Sequence, residues 1–333
     1  MENTQENQIK EEKPKGKLSK KIIIICTLIT LLVVVIIVAV YFVVTSPSKI
    51  LEEQINSSLN EMQAEKDDFT YTPFTCSGFK EIMCNSPLVQ LYDNDKQVAF
   101  KNLSFTLTPS TNEIYGIASG IIEISQSNEE TETANGDIIT INFNCKDNAM
   151  LLSERSMLAH NIICNSNADN IQLEQKSILY MRDEVFSETN MISALKGLMK
   201  KDKEEISDIV KYAISEDSYS SIQSPALFDD MLHMIQVLFK DQYPNGVSKE
   251  EVIDFYEKLK KDYISFKNLL QLNSENNFID KTIIAVDDVI YNNKNLISMR
   301  MYLKDSSVID DLFNQDSYNF NLPEYYEIEV ESK

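Results

Sequence analysis

Leu88-Val89-Gln90-Leu91-Tyr92-Asp93-Asn94-Asp95-Lys96-Gln97-Val98-Ala99-Phe100-Lys101-Asn102-Leu103-Ser104-Phe105-Thr106-Leu107 reads as two strands around a turn. Leu88 to Tyr92 is a short apolar run, and Asp93-Asn94-Asp95 supplies turn formers. Val98-Ala99-Phe100 leads into Leu103-Ser104-Phe105-Thr106-Leu107, where apolar and polar residues alternate with period two. Further along, Pro109-Ser110-Thr111-Asn112 is a second turn, residues 114–124 a strand, and residues 125–136 a polar, acidic loop. Residues 138–143, 171–173 and 178–181 are further strands, and residues 151–160 fit either a helix or a strand. Residues 69–185 therefore read as an antiparallel, meander-like sheet.

The period changes to 3.6 over residues 187–272. One long helix is expected over residues 189–215, with Ile192, Leu195, Leu198, Ile206 and Ile209 inside. A second is capped by Ser224 with Pro225 at its first position and carries Leu227, Met231, Leu232, Ile235 and Leu238 on one face. A third opens on a capping box, Ser248 and Glu251. Residues 278–333 return to strands at 282–286, 289–291, 296–303 and 325–330, with a helical turn near 307–313 and Asn292-Asn293-Lys294-Asn295 as a hairpin turn. Those late strands are expected to pack on the first sheet, with the three-helix unit inserted between.

Toward the N-terminus, residues 22–44 carry no charge. At 1.5 Å per residue they make roughly 34 Å of helix, against a bilayer core of about 30 Å. Lys10, Lys13, Lys15, Lys17, Lys20 and Lys21 precede the run, and Lys49 alone follows closely. Lysine excess marks the cytoplasmic side, so residues 1–21 form a disordered cytoplasmic tail and the bulk of the chain lies outside. The run is longer than a signal-peptide core, and Pro47 stands where cleavage would fall, so it reads as an uncleaved signal anchor. Residues 48–67 follow as a juxtamembrane helix with Ile50, Leu51, Ile55, Leu59 and Met62 on one face. The fold class expected is α+β: an N-terminal transmembrane helix, then an antiparallel β-rich exported domain with an inserted three-helix unit.

Six lysines and four glutamates lie in the tail, which leaves 25 basic and 48 acidic side chains beyond it, a net of −23. Such a field repels nucleic acid and bare anionic surfaces, so no nucleic-acid partner is expected. Only His160 and His233 are present, glycine occurs seven times with no phosphate-cradling spacing, and tryptophan is absent. No zinc, calcium, phosphate-loop or serine-hydrolase motif occurs, so no metal or cofactor is expected.

Four cysteines lie beyond the anchor: Cys76, Cys84, Cys145 and Cys164. Phe74-Thr75-Cys76 is followed by Cys84-Asn85-Ser86, and Phe143-Asn144-Cys145 by Cys164-Asn165-Ser166. This echo suggests two related units. Of the three available pairings it selects Cys76–Cys84 and Cys145–Cys164, in an exported compartment where disulfides persist. Closing loops of this size contributes roughly 2.5 and 3.3 kcal/mol by chain entropy.

These features describe a single-pass protein of the cell envelope, in the plasma membrane and most simply a bacterial inner membrane, with its N-terminus cytoplasmic and its bulk periplasmic or extracellular. The function expected is binding or structural rather than enzymatic. Its partners are the membrane it spans and either a lipid or other apolar ligand or a membrane protein for which it is a docking subunit. A carboxylate-based hydrolase is the weaker reading, resting on Asp229/Asp230, Asp287/Asp288 and Asp310/Asp311. Non-reducing peptide mapping is expected to recover Cys76 joined to Cys84 and Cys145 joined to Cys164; Cys76 joined to either later cysteine would overturn the two-unit reading.

Overall fold

The computed structural model describes residues 47–65, 68–93, 96–126, 138–198, 200–201, 203–238, 246–269, 278–314 and 322–333. The expected tail, the membrane span and most of the acidic loop 125–136 lie outside the described residues. Among the described residues no helix is long and apolar enough to cross a membrane.

The protein is an antiparallel β-rich α+β structure. Helix α1 (Pro47–Glu65) comes first, with Pro47 at its opening position, where a missing N–H costs nothing. It buries Leu51 and Ile55 and half-buries Leu59 and Met62, the stripe read from the sequence. Strands β1 (Phe69–Tyr71) and β2 (Thr75–Ser77) both pair with β3 (Ile82–Asp93). The meander then runs through β4 (Lys96–Pro109), β5 (Glu113–Gln126), β6 (Ile139–Leu152), β7 (Met157–Ala168) and β8 (Ile171–Arg182). The opening hairpin is present: Asp93 lies opposite Lys96 and Val89 opposite Phe100. The ambiguous residues 151–160 are two strand ends around a short turn at Ser153–Arg155.

The helical segment departs from expectation. The long helix over residues 189–215 is instead α2 (Met191–Leu198) and α3 (Lys203–Lys211), and the chain then enters strand β9 (Ile214–Gln223). β9 lies between β8 and β10 (Leu296–Leu303), fully within the sheet. Its sequence, Ile-Ser-Glu-Asp-Ser-Tyr-Ser-Ser-Ile-Gln, has few apolar residues to reveal a strand, and its pairing partners come from distant parts of the chain. The helices therefore do not form one inserted unit. They continue with α4 (Leu227–Leu238), α5 (Lys249–Leu269) and α6 (Phe278–Asn292). Ser248 and Glu251 make the capping box, with Ser248 N–H donating to Glu251 Oε2 at 2.8 Å and Glu251 N–H to Ser248 Oγ at 3.2 Å. Residues 282–286 and 289–291, expected as strands from their β-branched content, belong to α6. Ala285 and Val289, four residues apart, are its buried pair, so tertiary packing overrode β-propensity. After β10 come α7 (Ile309–Phe313), α8 (Leu322–Tyr325) and the last strand, β11 (Tyr326–Ser332).

Among the described residues all strands join one sheet in the order β1-β3-β4-β5-β6-β7-β8-β9-β10-β11, with β2 attached to β3. A sheet this long has two edges, and exposed edge backbone invites pairing with other chains. Helices occupy both. At one edge Asn56 of α1 brackets Phe74: its Nδ2 donates to Phe74 O at 2.9 Å and its Oδ1 accepts from Phe74 N–H at 2.8 Å. Glu52 Oε2 accepts from Cys76 N–H at 2.7 Å. At the other edge Lys281 of α6 donates to Ile328 O at 3.0 Å.

Substituting Asn56→Leu leaves both Phe74 backbone groups without their partner. The expected cost is about 1–3 kcal/mol, read as a lower midpoint in thermal or urea unfolding. Glu52 is held below its ordinary value of 4.5, first by the Cys76 N–H and then by Lys49. A depressed carboxylate contributes stability above its unfolded pKa and loses it as pH falls through the folded value. Thermal unfolding followed from pH 6 to about pH 3 is therefore expected to show a steeper fall for the native chain than for Glu52→Gln.

Candidate functional site

Antiparallel pairing puts directly opposed residues on the same face, so register alone traces rows across the sheet. One row crosses nearly the whole molecule. Cys76 faces Cys84, which faces Phe105; then come Ala118, Cys145 and Cys164. The row continues through Gln175, Ser220 and Met299 to Val330. Both cysteine pairs thus lie in one line on one face, each bridging directly opposed positions of neighbouring strands. Each forms a disulfide, with Cα atoms 4.1 Å apart for Cys76–Cys84 and 4.0 Å for Cys145–Cys164. The parallel row is Gly120, Phe143, Ser166, Leu173, Ile222 and Ile297. Beyond it Ile122, Ile141, Ala168 and Ile171 form a third.

This inner face is apolar along most of its length; the outer face of the central strands is polar. On β6 the outer residues Asn142, Asn144 and Lys146 are exposed, alternating with Ile141, Phe143 and Cys145. Alternation holds even through a bulge at Asn102, whose φ of 52° shifts the side-chain phase of β4 so that Phe100, Leu103 and Phe105 all reach the core. Gly120 is needed for close packing: a Cβ there would come within 2.8 Å of Leu103 Cδ2 and 3.0 Å of Phe143 Cε1.

Cover over the inner face is uneven. α1 seals the β1–β4 end, so Cys76, Cys84 and Phe105 are buried. α6 packs at β11, where Ser332 bonds Asp288. Between them Phe186 and the α2 residues Met191, Ala194 and Leu195 bury Ala149, Leu151, Leu158 and Met181 of β6–β8, and the face is partly open around the second disulfide. Phe143, Cys145, Cys164, Leu173 and Ile222 are half-buried, and Met299 is 40% exposed. A cavity of about 370 Å³ lies over β7–β10, floored by the Cys164 and Ser166 rows. Such a volume falls in the lower part of the small-molecule range. Toward one end of the face His160 Nε2 and Asp147 Oδ1, both shielded from water, stand 2.5 Å apart without hydrogen-bond alignment.

The paired carboxylates do not converge. Asp229 pairs with Lys249 at 2.8 Å, and Asp230 accepts from Ser224 Oγ, which lies in the turn ahead of α4 instead of at its expected cap, since the helix starts at Leu227. Asp287 accepts from Lys260 at 2.7 Å and from Tyr256 at 2.9 Å, tying α5 to α6. Burial, with Asp287 beside it, holds the Tyr256 phenol well above its usual range. Asp310 clamps Arg155 and Arg182. Among the described residues no group of three metal-ligating side chains converges. His233 is exposed on α4.

Sequence reading found the four cysteines but not the residues gathered around the second pair. Gln175 and Ser220 come together only through the β8–β9 pairing, and β9 carried no strand signal. The arrangement defines a two-faced antiparallel sheet with helices sealing its edges and part of its apolar face left open. No protein-family model matches the chain, and no curated protein matches it either.

The two disulfides differ in access: Cys76 and Cys84 are 6% and 0% exposed, whereas Cys145 and Cys164 are half-buried. Thiol–disulfide exchange needs approach to a sulfur. Graded reduction of the folded protein followed by alkylation and mass mapping is expected to label Cys145 and Cys164 first; simultaneous labelling of all four would contradict it.

Proposed function

We propose that this chain is a membrane-tethered envelope protein whose exported domain holds a lipid or other apolar ligand on the inner face of its sheet. The observation that supports it is the opening around the second disulfide, where Leu173, Ile222, Ile297 and Met299 line the cavity beside Cys164. A stable soluble core would cover such a surface, and burying it in a ligand gains roughly 25 cal/mol per Å². The tether in this reading is the uncharged run 22–44. α1 starts at Pro47, directly after that run, so the exported domain is held beside the membrane that supplies the lipid. The acidic exterior of the exported part keeps the domain soluble and off the anionic surface.

A second reading, a docking subunit of a membrane complex, draws on a different surface. Phe255 and Leu259, one turn apart on α5, are 64% and 52% exposed, and Ile284 of α6 is 61% exposed. Large apolar patches of this kind mark contact surfaces.

Both are tested by photocrosslinking in native membranes. A diazirine-bearing fatty acid fed to cells is expected to leave adducts on peptides of β6–β10, centred on Phe143, Leu173 and Met299. Lipid adducts confined to residues 22–44, with protein crosslinks from Phe255 and Leu259, would replace the ligand-binding reading with the docking one.

A further inference from the structure

The open part of the inner face is not uniformly apolar. Where β8 meets β9, Gln175 stands opposite Ser220 and Ser177 opposite Ser218, a block of four neutral polar side chains on two neighbouring strands. Leu173 and Ile222 lie in the row on one side, and Met299 and Met301 follow on β10. Gln175 and Ser220 line the cavity, and Ser166 joins them from the neighbouring row. Among the described residues, none of these side chains takes part in a hydrogen bond. Gln175 is exposed at the cavity rim and the serines are half-buried, whereas half-buried polar groups elsewhere are committed, as in Gln236 to Val247 O at 2.7 Å or Tyr180 to Glu216 at 3.0 Å.

The charge around the cavity is equally specific. No lysine or arginine is among its described lining residues, and its single ionisable neighbour is an acid, Glu174. The nearby cations are spent elsewhere. Lys176 pairs with Glu174 at 2.8 Å, and Arg300 pairs with Asp217 at 2.8 Å; both project from the outer face. A carboxylate or phosphate entering this part of the trough would lose water without gaining a cation, which is costly. A hydroxyl, ester or amide would instead find both donors and acceptors, since Gln supplies an NH₂ and a carbonyl and each Ser a donor and an acceptor.

We infer that the trough takes a neutral single-chain lipid, with its acyl chain along the apolar rows of β6–β10 and an uncharged ester or hydroxyl head on Gln175, Ser220 and Ser166. This rests on the apolar-ligand reading above and adds to it the polarity and charge of the head.

The full-length protein in phosphatidylcholine nanodiscs tests it. Three probes carry the same diazirine acyl chain: a monoacylglycerol, a free fatty acid and a lysophosphatidylglycerol. Each is offered at equal concentration at pH 8, irradiated, and quantified as adducts on peptides of β6–β10. The expected result is about tenfold more adduct from the monoacylglycerol than from either anionic probe, a difference of about 1.4 kcal/mol. The double variant Gln175→Leu/Ser220→Ala, checked for intact disulfides and native unfolding, is expected to bring the monoacylglycerol down to the anionic level. Equal labelling by all three probes, a preference for an anion, or a preference unchanged in the double variant overturns the head-group assignment while leaving the apolar trough standing. Failure of every probe to label these strands overturns the apolar-ligand reading itself.

Discussion

The rest of the structure depends on register. In a sheet with a period of two, a slip of one residue carries every side chain to the opposite face. Here the two faces differ sharply, so a slip would put Ile141, Phe143 and Cys145 into water and Asn142, Asn144 and Lys146 against the core. The disulfides lock the choice at two separated places, Cys76 against Cys84 and Cys145 against Cys164. Because both locks fall in one row, they fix the same inner face across strands far apart in the chain.

A register-locked sheet still has edges and a bare face, and the helices deal with these unequally. Glu52 and Asn56 of α1 bond edge backbone directly, and Leu51 and Ile55 of the same helix fill the space over Phe74, Cys76 and Cys84. One helix thereby serves as both edge guard and lid for the β1–β3 end of the sheet. At the far edge α6 guards β11 through Lys281, while Ala285 and Val289 are its buried residues. A second, smaller core forms where Met157, Leu303, Ile309, Leu312 and Tyr326 meet, and burial there pushes the Tyr326 phenol up to about 12. Over β6–β8 Phe186, Met191, Ala194 and Leu195 bury Leu151, Leu158 and Met181, but the part of the inner face around Cys164, Leu173 and Ile222 receives no comparable cover. That imbalance gives the molecule its cavity and leaves the second disulfide half-buried where the first is buried.

Much of this was legible in local pattern. The hairpin around Asp93–Lys96, the meander through residues 69–185, the α1 stripe, the capping box at Ser248 and the cysteine pairing all rest on neighbours in sequence or on a repeated motif. The misread segments share a cause. β9 is rich in serine and acids, so its strand character comes from β8 and β10, which hydrogen-bond it from both sides. α6 is rich in isoleucine and valine, and its helical state comes from packing Ala285 and Val289 inward. In both, long-range contacts outweighed a local preference of a fraction of a kcal/mol per residue.

By itself the sequence determined the alternation that makes a two-faced sheet and, through the cysteine echo, the pairing of the four cysteines. These are local or compositional quantities, and the physics that reads them needs no third dimension. Only the tertiary structure decided that the two disulfides share one row, that β9 closes the sheet between β8 and β10, and that Gln175 and Ser220 meet beside Cys164. Those facts belong to pairing between segments distant in the chain. Which side chains line an open surface depends on what the helices leave uncovered, and no window of residues contains that information.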